Sequence, residues 1–115
     1  MGKALVKVNE YFVVKTDDGG NETEVIYNPP LLAQTQNIRV ELRKEKKHER
    51  PHVHVIKKGR DKFHGVSIAL DDFTVLAGED QLKHFDSKEF QYISHFLWRN
   101  RERFMTLYQA LRGDL

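Results

Sequence analysis

Three observations predict an α+β domain for this 115-residue chain: an antiparallel sheet of about five strands with one long C-terminal helix packed across it. Ile38, Val40 and Leu42 alternate with Arg39, Glu41 and Arg43, the period-two pattern of a strand with one dry face and one wet face. Phe90, Leu97, Phe104 and Leu111 recur every seven residues, with Ile93 and Leu107 filling the spacing between them, as on one stripe of a helix. Short β-rich runs separated by Gly, Asn, Asp and Pro clusters occupy most of the chain before that stripe. The length fits one domain, residues 1–115, and 39% apolar with 31% charged residues is the composition of a folded soluble protein.

Leu5–Val8 and Tyr11–Val14 are short apolar runs, and the Asp17-Asp18-Gly19-Gly20-Asn21 turn leads to a third run at Thr23–Tyr27. Asn28-Pro29-Pro30 ends that run, because proline cannot donate to a ladder. Leu31–Gln36 fits either a loop or one helical turn. The Ile38 strand runs into the charged segment 43–50. Pro51 opens the next strand, His52–Lys57, and Lys58-Gly59-Arg60-Asp61 turns it into a return strand from Phe63 to Leu70. A further short strand fits Phe73–Leu76. Asp86 or Ser87 can cap the helix, with Glu89 placed for a capping box and Gly113 as its stop. That helix either overhangs the sheet and meets a second subunit, or breaks near Arg99-Asn100-Arg101 so that both halves pack on their own sheet.

Composition removes several function classes. The absence of cysteine excludes a disulfide scaffold, a zinc ribbon, an iron–sulfur site and a cysteine nucleophile. No apolar run approaches the roughly 20 residues of a membrane span. Met1–Val6 carries no secretory h-region, so a cytoplasmic location is expected. Gly19-Gly20 leads into an acidic strand, not into a phosphate-cradling helix, and Ser67, Ser87 and Ser94 lack nucleophile-elbow glycines. Asp71-Asp72 reads as a turn.

Charge is unevenly distributed. Segment 37–64 carries a net +6, segment 88–112 carries +3 and the remainder −7. Such separation steers charged partners. Arg43, Lys44, Lys46, Lys47, Arg50, Lys57, Lys58 and Arg60 are therefore the candidate binding residues. A solvated hairpin tip with no partner would show the same pattern.

Pro51-His52-Val53-His54-Val55 is the sharpest feature. Residues two apart on a strand share a face, so His52 and His54 stand about 7 Å apart and can act together. They are candidate acid–base residues, or two ligands of a divalent metal with His64 as the third. A two-residue hairpin loop would set His64 opposite Val55, away from His54; a three-residue loop would set it opposite Ile56, on the His52/His54 face. His48 is a further candidate. The bland reading is a pair of structural histidines satisfied by their neighbours.

The strand has a partial likeness to the histidine-triad nucleotide hydrolases, but Ile56 stands where their third histidine would be. Arg50-Pro51-His52-Val53-His54-Val55, the short hairpin and the helix segment Asn100-Arg101-Glu102-Arg103-Phe104 together resemble a small prokaryotic family known as domain of unknown function 4160, over about residues 50–112. That resemblance implies the strand–return strand–helix order and a setting in toxin–antitoxin-like or mobile-element neighbourhoods, with no defined reaction. The functional expectation is a homodimeric binding module for nucleic acid or an acidic protein. The alternative is a metal- or histidine-dependent hydrolase or nuclease.

Overall fold

The computed structural model describes residues 3–6, 11–28, 37–44 and 50–112. Its strands are β1 (Lys3–Val6), β2 (Tyr11–Thr16), β3 (Glu22–Asn28), β4 (Ile38–Arg43), β5 (His52–Lys58), β6 (Phe63–Ala69) and β7 (Val75–Ala77). They pair in chain order as one antiparallel meander. Seven strands stand where the sequence pattern predicts about five, because the short runs at the two edges also pair, β1 on β2 and β7 on β6. A 3₁₀ segment (Glu79–His84) follows, entered through Gly78 at φ 78°, and then α1 (Ser87–Arg99) and α2 (Arg101–Arg112). No described helix is long and apolar enough to cross a membrane.

Alternation decides the layers. Val25 and Tyr27, Val40 and Leu42, Val53 and Val55, and Val66 and Ile68 share one side of the sheet by register and are all buried. Ile93, Phe96 and Leu97 of α1 and Phe104, Tyr108 and Leu111 of α2 close that side in a single core. Tyr27, Phe96 and Phe104 form its aromatic centre, with ring centroids 4.7 to 6.4 Å apart and tilted or edge-on geometries.

The helical stretch from Ser87 to Arg112 is interrupted at one residue, and both halves pack on the same sheet. Asn100 sits at φ −107°, ψ 10°. Its Nδ2 donates to Phe96 O at 2.9 Å and its backbone N–H donates to the same carbonyl at 3.1 Å. A side chain that competes for the preceding turn's carbonyl ends the regular run. Arg101 then ties α2 to the sheet, its Nε donating to Leu70 O at 2.8 Å. At the other end Asp86 caps α1: its side chain accepts from Glu89 N, and Glu89 accepts from Asp86 N, a complete capping box. Phe90 departs from the heptad expectation. It is exposed, since the buried stripe of α1 starts at Ile93. Leu31–Gln36 and Gly113 lie outside the described residues.

Candidate functional site

The β5–β6 hairpin positions every histidine that the sequence singled out, apart from His48, which lies outside the described residues together with Lys46 and Lys47. Lys58 pairs with Phe63, leaving a four-residue turn closed by Gly59 N–H donating to Lys62 O at 2.8 Å. Neither the two- nor the three-residue loop is present. Gly59 is needed there: a Cβ would stand 2.6 Å from His64 Nε2 and 2.8 Å from Lys62 O. With this turn His64 pairs with Lys57, on the side of the hairpin opposite His52 and His54. The three-histidine ligand set is thereby corrected, and among the described residues no group of three or more His, Cys, Asp or Glu side chains could hold a metal ion.

His52 and His54 do share a side of β5, with ring centroids 4.9 Å apart and edge-to-face. His52 is buried, and its Nδ1 lies 2.7 Å from Arg50 O. A carbonyl only accepts, so Nδ1 carries the proton and the Nε2 lone pair is the basic one. The ring of Tyr108 in α2 lies 5.8 Å away. His54 pairs in register with Glu41 on one neighbouring strand and Ser67 on the other, and Ser67 Oγ lies 3.3 Å from His54 Nδ1. A cavity of about 250 Å³ opens beside this row, lined by Arg50, His52, Ser67, Leu76 and Ala77.

The candidate cations do not form one patch. β5 spans roughly 20 Å at about 3.3 Å per residue, and they divide between its two ends. At the His52 end, Arg43 is paired with Glu41, itself buried and also held by Arg39 at 2.7 Å. Arg50 is forked onto Asp71 and pairs with Asp72, both at 2.8 Å. Hydrogen bonds from Thr74, then the Arg50 guanidinium, hold the Asp72 carboxyl down at about 2. Lys44 is exposed.

The turn end is organised differently. Lys57 points to the core side, where its Nζ donates to Glu89 Oε1 at 2.7 Å and His84 O at 2.8 Å. His64 is buried, donates from Nδ1 to Gln81 Oε1 at 2.8 Å, and stacks on His84 with centroids 3.7 Å apart and planes 14° from parallel. Partial burial and the surrounding positive groups (His64, then Lys83, Lys62 and Lys57) hold His84 below the ordinary histidine range. Lys58, Arg60, Lys62 and Phe63 are exposed around the turn, with Arg39 5.6 Å over the Phe63 ring. Among the described residues, no ion pair engages Lys58, Arg60 or Lys62.

Sequence reasoning missed His84, Gln81 and the pairing of Ser67 with His54. No periodicity links residues 64 and 84. Only the packing of the 3₁₀ segment on β6 brings them together. It also missed a cleft of about 890 Å³ along α1, lined chiefly by Phe73, Leu82, Phe85, Phe90 and Trp98. Phe73 holds a positive φ of 61°, a strained conformation for a bulky residue, and sets its ring edge-on to Trp98 at 6.0 Å.

The class defined by these features is an antiparallel meander carrying a Pro-His-X-His strand, a cationic return hairpin and a broken C-terminal helix. The chain belongs to the family described as Domain of unknown function (DUF4160), which matches residues 37–109, from the residue before β4 to the last turns of α2. No curated protein and no solved structure matches the chain.

Proposed function

We propose that the protein is a binding module that grips the phosphates of a nucleic-acid duplex with the β5–β6 turn. The observation that carries this reading is the exposed triplet Lys58, Arg60 and Lys62 at the tip of the hairpin, with no carboxylate paired to any of them among the described residues. Arg39, on the same end, is already engaged by Glu41. Arg43, Arg50 and Lys57 are engaged by carboxylates of the chain itself and have structural roles. Each phosphate contact releases condensed counterions, so duplex binding should fall steeply with salt. Binding of a 20-base-pair duplex is measured at several salt concentrations for the wild type and for Lys58→Ala/Arg60→Ala/Lys62→Ala. The variant should bind more weakly and lose roughly one unit of log–log salt slope per lost contact. Unchanged binding in the variant, or none in the wild type, removes the reading; binding of an acidic protein alone would move it to that partner class. Self-association belongs to the same proposal at α1, where Phe90, Tyr92 and Trp98 stay exposed. Sedimentation of Trp98→Glu beside the wild type tests it, and a monomeric wild type would end it.

A second reading is favoured by one contact. Ser67 Oγ sits beside His54 Nδ1, and Ser67 lines one cavity with the proton-assigned His52 and Arg50. This set could serve a metal-free hydrolase, with His54 as base toward the Ser67 hydroxyl. Labelling of Ser67 by a fluorophosphonate, lost in His54→Gln, would support it; absence of any adduct would dismiss it.

A further inference from the structure

At the turn end of the hairpin two imidazoles, His64 and His84, are in face-to-face contact. The positive groups whose charge reaches His84 come from four elements. β5 supplies Lys57, the turn supplies Lys62, β6 supplies His64, and the 3₁₀ segment supplies Lys83, His84's own neighbour. The carboxylate packed there is Glu89 of α1, already shared between Lys57 and the Asp86 backbone. Asp61 sits in the turn, Glu79 and Asp80 open the 3₁₀ segment, where Asp80 accepts from Gln81 Nε2 at 2.9 Å, and Asp86 caps α1. A proton on His84 would therefore stand against a stacked imidazole and three ammonium groups. An anion seated over the pair would remove that penalty.

We propose that the His64–His84 stack, with Lys62 and Lys83, is a phosphate seat of the duplex-binding surface, and that phosphate binding there draws a proton onto His84. The proposal rests on the duplex-binding reading above and adds to it the place and the proton linkage. Geometry supports it in three ways. His64 is held by Gln81 and packs closely against Gly59, which fixes its half of the stack. His84 is only partly buried and open to an incoming ligand. Lys57 is pulled to Glu89, while Lys62 and Lys83 stay exposed. By linkage, a ligand that favours protonated His84 binds more tightly as pH falls, and its binding takes up protons from solution.

The test uses the same 20-base-pair duplex, because phosphodiesters do not titrate near neutrality and any pH dependence belongs to the protein. Affinity is measured from pH 7.5 to pH 5.5 for wild type, His84→Gln and, as a control for general acidification, His95→Gln. Wild type and His95→Gln should gain up to about tenfold per linked proton and pH unit over part of that range. His84→Gln should lose most of that gain. The His84 ring proton resonances, followed by NMR, should titrate at higher pH with duplex present. A pH-independent wild type, an unaltered gain in His84→Gln, or an unmoved His84 titration overturns the seat while leaving duplex binding standing. No binding at any pH overturns the duplex reading itself.

Discussion

The hairpin carries two histidine pairs, one at each end, and they are built on different principles. His52 and His54 are neighbours because a strand places alternate residues on one side; their environment is a small cavity, a serine and a paired arginine. His64 and His84 are neighbours because a 3₁₀ segment folds back over β6; their environment is a cluster of lysines and one shared carboxylate. The first pair depends on local backbone geometry and needs little tertiary support. The second exists only while the 3₁₀ segment, the turn and α1 hold their places. The turn end should therefore be the more fragile, and the more responsive to pH.

The largest effect should come from removing what both ends share. Phe104 is fully buried in the aromatic centre, and Phe104→Ala should cost about 3–5 kcal/mol in urea unfolding, disturbing both pairs alike. Glu89→Gln separates them. It weakens the Lys57 pair and the capping box together, and should cost about 2 kcal/mol. Its chemical-shift changes should cluster at residues 57–64 and 79–90; equal changes at His52 and Ser67 would break the contrast. Gly59→Ala confines the perturbation further, forcing a methyl group onto His64 Nε2 and Lys62 O, for about 1–3 kcal/mol.

A smaller effect should appear in pH. His84 is held below its ordinary value of 6.5 in the folded chain, so between the two values the unfolded chain binds the extra proton. Its contribution is present above pH 6.5 and is lost as pH falls below it. In thermal melts from pH 7.5 to pH 5, His84→Gln should show a shallower loss of Tm than the wild type. Asp72 gives the smallest signal. Its carboxyl titrates at about 2 in the folded chain, so its contribution is lost only as pH falls from roughly 4 toward 2, and Asp72→Asn should be distinguishable from the wild type only above that window.

Much of this architecture could be read in the residue pattern, and particular residues show where reading stops. Ile38, Val40 and Leu42 announce their strand by alternation, and Asp86 with Glu89 announces the helix start. The broken helix was one of two alternatives at Arg99-Asn100-Arg101, and Asn100 resolved it through a hydrogen bond that spacing cannot reveal. The hairpin register was open because Gly59 fits turns of several lengths; the four-residue turn moved His64 to the other side and dissolved the imagined metal triad. Positive charge was visible but its disposition was not. Arg43, Arg50 and Lys57 find carboxylates 2, 21 and 32 residues away, and the two distant partners are set by topology alone.

Glu89 Oε1 receives both the ammonium of Lys57 and the first amide of the helix cap. Whatever draws Lys57 outward also loosens the opening turn of α1, and whatever frays that turn leaves Lys57 to the His84 carbonyl. Events at the hairpin tip would thus be felt along the aromatic cleft without any domain moving, by the reassignment of a single oxygen, and amide exchange at Glu89 and Phe90 would be where that message is first heard.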